Sequence, residues 1–418
     1  MRKIEPLAND FIKVYESDIE GKKEYCFTPG ICALPDGRII ATLDRHYPGM
    51  PAEERGMIFL SDDCLHFRFV GYFPFGHARP FVAGDSVYII GQQGNIRIIR
   101  SDDRGETWSA YSALTPEGGE GSWHASATNV WYERDRLYLV MEHRVAPDCV
   151  SWPVAAMAPV LMRADVHDNL LLPESWTFAN EVFFRDAVDE TKLDDFGVPF
   201  YQVPRGGVTY TRAPDKNCPD PRSCAPIGWL ETNVVRFTDP THYWYSKQPT
   251  FHLFARAHTG GTGYCALAKV TECKDGRLIT SFEHVPSGRR CVFLPMPGGQ
   301  MRFHLLYDEK SRLYWLLSTQ ATDSMTRSEC LPPDRYNLPN NERRRLVLHF
   351  SKNCVDWCFA GLVAVGEVEK ASRHYASMMI YGDDLLILSR SGDTRAHSAH
   401  NGNLITLHRV ENFRELIY

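Results

Sequence analysis

Ser101-Asp102-Asp103-Arg104-Gly105-Glu106-Thr107-Trp108 follows directly on the alternating apolar run Asn95 to Arg100 and has the pattern S-x-D-x-G-x-T-W. Each position has a local physical reading. The short carboxylate of Asp103 can accept N–H groups of its own loop, and Gly105 can take a backbone conformation that a Cβ forbids. Trp108 can pack beneath the turn. The stretch therefore predicts a tight hairpin turn joining two strands.

Two weaker copies stand in the same place relative to a strand. Ser61-Asp62-Asp63-Cys64-Leu65-His66-Phe67 lies forty residues earlier, after Arg55 to Leu60. Ser351-Lys352-Asn353-Cys354-Val355-Asp356-Trp357 follows Leu346 to Phe350, with Asn in place of Asp. A turn that recurs after an apolar strand is the mark of a repeat architecture. The motif has the form of an Asp-box and resembles the repeat of the sialidase-like β-propellers, where it lies on an outer turn of a blade.

The rest of the chain repeats a strand, an Asp- or Gly-rich turn and a second strand. The units are Ile31–Leu34 with Ile39–Leu43, Phe81–Ala83 with Ser86–Gly91, Ala127–Tyr132 with Leu137–Met141, Glu231–Phe237 with Phe251–Ala255, Met301–Leu306 with Leu313–Leu317, and Ser377–Tyr381 with Leu385–Leu388. Each reads as the two inner strands of a four-stranded blade. The expectation is one all-β propeller domain over residues 1–418, built of four-stranded antiparallel blades, six preferred over seven. The last unit lacks a fourth strand, which Phe11–Tyr15 is expected to supply, closing the ring. A segment rich in Pro and Gly at about 186–227 reads as an irregular loop insertion over one mouth of the propeller.

Composition bounds the partners. Aromatics are 12% and charged residues 23% of 418 residues, and the net charge is −6. That charge argues against nucleic acid as an obligatory partner. No apolar run reaches bilayer length and the N-terminus shows no signal peptide, so no membrane association is expected. The chain reads as cytoplasmic, or as secreted or periplasmic if a leader has been removed. The twelve cysteines are scattered and read as reduced thiols. One group, His258, Cys265, Cys273 and Cys291, has the side chains for a structural zinc site but no C-x-x-C pair.

Function is expected where blades converge. Thr128-Asn129-Val130 matches Thr232-Asn233-Val234. That register places Trp123 and His124 beside Gly228 and Trp229, and brings Glu142 and His143 near Arg256 and His258. His77 and Arg79 of the second unit, and His397 and His400 of the sixth, join the same rim, as does Glu231. Cations there suit an anionic ligand. Trp123, Trp229, Tyr201 and Tyr210 suit the apolar face of a sugar.

Trp123-His124, Glu142-His143-Arg144 and Phe254-Ala255-Arg256 resemble the catalytic positions of the propeller uronate lyases, of the ulvan lyase and rhamnose–glucuronate lyase type. The sialidase Phe-Arg-Ile-Pro is absent near the start, and no set of three arginines with a Tyr–Glu pair stands out. The resemblance implies β-elimination on a uronate-containing oligo- or polysaccharide, with no cofactor needed for the chemistry. His124 would take the C5 proton, Arg256 and His143 would neutralise the carboxylate, and Tyr210 or Tyr201 would protonate the leaving oxygen. Two alternatives stand beside it. One is a sialidase-like glycoside hydrolase of an acidic sugar, using Glu142 and Glu231. The other is a glycan-binding propeller without turnover.

Overall fold

In a computed structural model of the chain, residues 4–118, 122–144, 154–188, 228–257, 263–324, 326, 330 and 342–418 are described. They form seven antiparallel sheets, six of them the blades of a propeller in chain order and the seventh a two-stranded ribbon, Glu283–His284 with Arg290–Cys291. Blade 1 is Tyr25–Ala33, Ile39–His46, Gly56–Ser61 and Arg68–Phe73. Blade 2 is Gly76–Ala83, Ser86–Gln92, Ile96–Ser101 and Ser112–Ala113. In blade 3 the innermost strand is broken into Trp123–His124 and Trp131–Glu133, followed by Arg136–Arg144, Met157–Asp165 and Thr177–Phe178. Blade 4 is Trp229–Arg236, Thr250–Ala257, Tyr264–Glu272 and Leu278–Ser281, with Phe293–Pro295 as a further edge. Blade 5 is His304–Asp308, Leu313–Thr319, Arg345–Ser351 and Cys358–Val365.

Blade 6 closes the ring. Arg373–Tyr381, Asp384–Ser391 and Leu404–Val410 take their fourth strand from Ile12–Glu16, which pairs antiparallel with Leu404–Val410. The strand expected at Phe11–Tyr15 is therefore the closing strand, and the blade number is six. The N-terminal strand is the outermost of that blade and covers the edge of Leu404–Val410, so the two ends of the chain are joined in one sheet.

Strands buried on both faces explain why the sequence reads as apolar runs rather than clean alternation. Ile89 packs toward blade 1 with Ile40 and Ile58, while its neighbour Ile90 packs toward blade 3 with Leu139 and Met141. The same division gives one apolar core at every junction, down to Leu388 and Leu407 of blade 6 against Ala41 and Leu43 of blade 1. Among the described residues no helix is long and apolar enough to cross a membrane. The one described α-helix, Phe184–Ala187, is a single turn, and residues 189–227 of the expected insertion lie outside the described residues.

The motif turns are as read. Asp103 accepts the Thr107 N–H at 2.8 Å and the Ser101 hydroxyl at 2.8 Å, and the Trp108 indole donates to the Gly105 carbonyl at 3.1 Å. Gly105 has φ +88°, and a Cβ there would sit 2.5 Å from Ile40 Cδ1 of blade 1. Asp63 and Asn353 accept the equivalent loop N–H groups in blades 1 and 5. All three turns join a third strand to a fourth, at the end of the blade opposite the mouth described next.

Candidate active site

Four innermost strands break register at the same place: between Phe27 and Gly30, Gly76 and Arg79, Leu230 and Asn233, and His374 and Ser377. Each break is a β-bulge, and each holds a non-glycine residue at positive φ: Thr28 at 28°, His77 at 54°, Glu231 at 57° and Tyr375 at 50°. A bulge bends the strand and re-aims a side chain. Here it brings these residues together with those ending the second strands. Asp44 lies opposite Phe27, Arg256 opposite Leu230, and Arg390 opposite His374.

Arg256 is the hub. Its Nη1 donates to the Tyr375 hydroxyl oxygen at 2.6 Å and to Glu231 Oε2 at 3.2 Å, and its Nε donates to the Gln300 carbonyl at 2.8 Å. Two more guanidiniums flank the phenol, with Arg343 5.6 Å and Arg390 5.5 Å from the Tyr375 ring centroid. Arg343 also contacts His374 Nδ1 at 3.0 Å. Arg390 lies 4.2 Å from the Phe27 ring centroid and contacts His400. Asp44 is 1% exposed, and neither carboxylate oxygen has a hydrogen-bond donor among the described residues. Arg55 approaches one of those oxygens at 3.8 Å. His77 shares a 3.0 Å hydrogen bond with the Thr28 hydroxyl, and its ring centre is 5.2 Å from that of His124.

Burial and charge set the ionisation. Burial alone would raise the Glu231 carboxyl, but Arg256, His124 and the Tyr375 hydroxyl hold it below its ordinary value. Burial raises the Tyr375 phenol, with Arg256 pulling the other way. Burial pulls Arg343 down to about 9 and Arg390 to about 10, so both remain cations at neutral pH. His124 is pushed to about 3, first by burial and then by His77, and burial lowers His77 as well. Around Tyr375 and Glu231 the mouth therefore presents the Arg256, Arg343 and Arg390 guanidiniums, an ionised Glu231 and neutral imidazoles, with Asp44 and Arg55 beside them. It can bind an anion, and it can draw a proton from a phenol.

Of the residues expected from sequence, His77, His124, Glu231 and Arg256 come together. His400 borders Arg390. The others are placed elsewhere. His143 stacks on Trp123, with ring centres 4.3 Å apart, and pairs with Glu181 rather than with the Arg256 cluster. Its neighbour Glu142 points inward, because successive strand residues face opposite sides. Arg79 is a buried brace, donating to the Val140 carbonyl at 2.6 Å and the Asn129 carbonyl at 3.3 Å. Trp229 is core, 1% exposed, with its indole donating to the Met157 carbonyl at 2.7 Å. His397 is exposed. Tyr201, Tyr210 and His258 lie outside the described residues.

The zinc set is not assembled by its described members. Cys265 is the second residue of the strand Tyr264–Glu272, and Cys273 follows that strand. At about 3.3 Å per residue they are roughly 26 Å apart, too far to share one ion. Cys291 lies in a two-stranded ribbon opposite Glu283. Among the described residues no group of three or more His, Cys, Asp or Glu is placed to hold a metal.

Sequence reading also missed four residues: Asp44, Arg343, Tyr375 and Arg390. Arg256, Arg343 and Arg390 gather around Tyr375 and Glu231 from three different blades, a grouping that no single stretch of the sequence displays. A signal existed for Arg390. It stands two residues past Leu388, as Arg256 stands two past Phe254, and those two residues hold the same place in their blades.

No protein-family model matches the chain, and no curated protein matches it in sequence. Solved structures match along almost its whole length. An α-L-arabinanase of Penicillium chrysogenum, complexed with arabinobiose, is 11% identical with a TM-score of 0.51, over 99% of this chain and 100% of that one. A protein of unknown function from Dyadobacter fermentans is 10% identical with a TM-score of 0.54, over 98% and 99%. A Trypanosoma rangeli sialidase in complex with the inhibitor DANA is 12% identical with a TM-score of 0.51 over 99% of this chain, which spans 59% of that protein. The chain has the fold of the sialidase-like β-propellers. At these identities the likeness is one of fold, and the chemistry has to be argued from the site.

Proposed function

We propose that the chain is a carbohydrate-active enzyme, a glycoside hydrolase that releases an anionic sugar from an acidic oligo- or polysaccharide. One observation carries the reading: the Tyr375 hydroxyl oxygen accepts from Arg256 while Glu231 sits on the same guanidinium nitrogen. Arg256, Arg343 and Arg390 hold the anionic group of the substrate by charge-assisted hydrogen bonds. Glu231 takes the Tyr375 proton as the phenol oxygen attacks the anomeric carbon, and Asp44 gives its proton to the departing glycosidic oxygen. Water then displaces the tyrosine, with Asp44 taking a proton from that water and Glu231 returning its proton to the departing Tyr375 oxygen. Retaining hydrolysis with a tyrosine nucleophile is an established variant of the two-carboxylate scheme. A phenol suits a substrate that is itself anionic, because a carboxylate nucleophile would be repelled by it. The folds shared with an arabinanase and a sialidase are in keeping with glycoside hydrolysis.

The second reading is β-elimination on a uronate, favoured by a neutral His124 next to Arg256. Glu231 weighs against it, since a buried carboxylate there opposes the negative charge that builds on the uronate as its C5 proton leaves. The test is a panel of sialosides, uronosides and acidic polysaccharides, followed for both reducing ends and ultraviolet absorbance. New reducing ends without a new absorbance support hydrolysis. An unsaturated, ultraviolet-absorbing product replaces it with elimination, and saturable binding with neither product leaves a glycan-binding propeller.

A further inference from the structure

Glu231 and Tyr375 share their strained bulge position with two residues that the proposed reaction does not use, Thr28 of blade 1 and His77 of blade 2. Thr28 is the sharper case. It is β-branched, buried, and held at φ +28°, a conformation such residues seldom adopt. Backbone strain of this kind persists only where the surroundings impose it, and it gathers at ligand sites. Thr28 is also tied to the site, since its hydroxyl meets His77 Nδ1 at 3.0 Å and the His77 ring neighbours that of His124.

The two halves of the mouth differ in chemistry. Around Tyr375 stand three guanidiniums, which only donate hydrogen bonds. On the Thr28 side stand its hydroxyl and the His77 and His124 imidazoles, with the Asp44 carboxylate and Arg55 beside them. Asp44, Arg55, Glu231 and Arg390 act on His77, and His77, Glu231, Arg256 and Arg144 act on His124, yet burial dominates and both rings stay neutral. A neutral imidazole and a hydroxyl each have a donor and an acceptor, of which Thr28 and His77 spend one each on their mutual hydrogen bond. That is the complement of a sugar hydroxyl, which also does both.

We propose that Thr28, His77 and His124 form a polyol-reading face of the same site, so that its ligand is a sugar acid, recognised by anion and ring hydroxyls together, rather than a bare carboxylate or phosphate. The inference rests on the anion-binding reading above and adds specificity to it.

The experiment titrates the full-length protein by NMR or thermal shift with acetate, and in parallel with glucuronate, galacturonate and N-acetylneuraminate. The wild type should bind at least one sugar acid about tenfold more tightly than acetate, the scale of one or two well-made hydrogen bonds. Thr28→Val and His77→Leu should each remove most of that preference while acetate binding stays within about twofold. Thr28→Ser, which keeps the hydroxyl, should retain the preference. The polyol face is overturned if both variants keep the full preference, or if they lose acetate and sugar acid in equal measure. It is also overturned if the wild type binds acetate but no sugar acid better. A wild type that binds none of the four anions overturns the anion-binding reading and this inference with it.

Discussion

Arg256 of blade 4 and Tyr375 of blade 6 are 119 residues apart, yet a 2.6 Å hydrogen bond joins them across the mouth of the propeller. The guanidinium can only donate, so the phenol oxygen is the acceptor and its own hydrogen is left for Glu231, which counts that hydroxyl among the groups lowering its pKa. One residue thus orients both members of the proposed nucleophile and base pair.

That geometry sets the order of mutational effects. Glu231→Gln should lower kcat by about 10²–10⁴-fold, the usual contribution of a positioned base, and Tyr375→Phe, which removes the nucleophile, by at least as much. His124→Ala should cost far less, with the effect mostly in KM. Steady-state kinetics on the best glycoside of the panel decide the matter. If His124→Ala abolishes turnover while Glu231→Gln is tolerated, hydrolysis through Tyr375 is wrong and elimination takes its place.

Asp44 has a separate signature. As proton donor to the leaving oxygen it matters most when that oxygen is a poor leaving group. Asp44→Asn should therefore slow a natural sugar–sugar linkage by about 10²-fold or more, and slow an activated aryl glycoside of the same sugar much less. Equal losses on both substrates would remove Asp44 from the proton-donor role.

The architecture was legible because its signals are local. The S-x-D-x-G-x-T-W turn and the strand–turn–strand units need only neighbouring residues, and the closing strand could be inferred from the missing fourth strand of the last unit. The site was half legible. His124, Glu231 and Arg256 were found because the Thr-Asn-Val register aligned two blades. Tyr375 was missed because the bulge before Ser377 breaks the alternation, so the strand was read as starting at Ser377 when it starts at Arg373. Trp229 and Arg79 were misplaced for the opposite reason. Sequence gives the rung of a strand but not whether the side chain faces the mouth or the junction between blades.

Gly105 tests the fold apart from the site. Its φ of +88° and the 2.5 Å approach of Ile40 Cδ1 leave little room for a methyl group. Gly105→Ala should destabilise the protein by about 1–2 kcal/mol, read as a lower urea midpoint with an unchanged slope. Turnover at low temperature should be unaffected, because the turn lies at the far end of its blade from the mouth. An unchanged midpoint would show that blades 1 and 2 yield at this contact more easily than the distance suggests.

Glu142 gives the clearest dependence on pH. It is 1% exposed; one carboxylate oxygen accepts the Thr232 N–H at 2.8 Å, and the other has no donor among the described residues. Burial lifts this carboxyl to about 7, with the Thr232 N–H and Arg79 pulling it back in part and Glu231 adding to the rise. An unfolded chain titrates the same group near about 4.3. Between the two values the folded state binds more protons than the unfolded one, so stability falls as pH rises. The contribution of the protonated acid is fully present below the unfolded value, is lost as pH climbs through the folded one, and changes no further above it. The shift corresponds to at most about 4 kcal/mol, of which about 2.5 kcal/mol falls between pH 5 and pH 8. Glutamine does not titrate, so Glu142→Gln should gain on the wild type by up to that amount between pH 5 and pH 8, measured by urea unfolding at both. Taking the difference between the two proteins cancels the other titrating groups. A stability difference that stays flat across that interval would mean that Glu142 is already ionised at pH 5 and that the Thr232 N–H and Arg79 outweigh its burial.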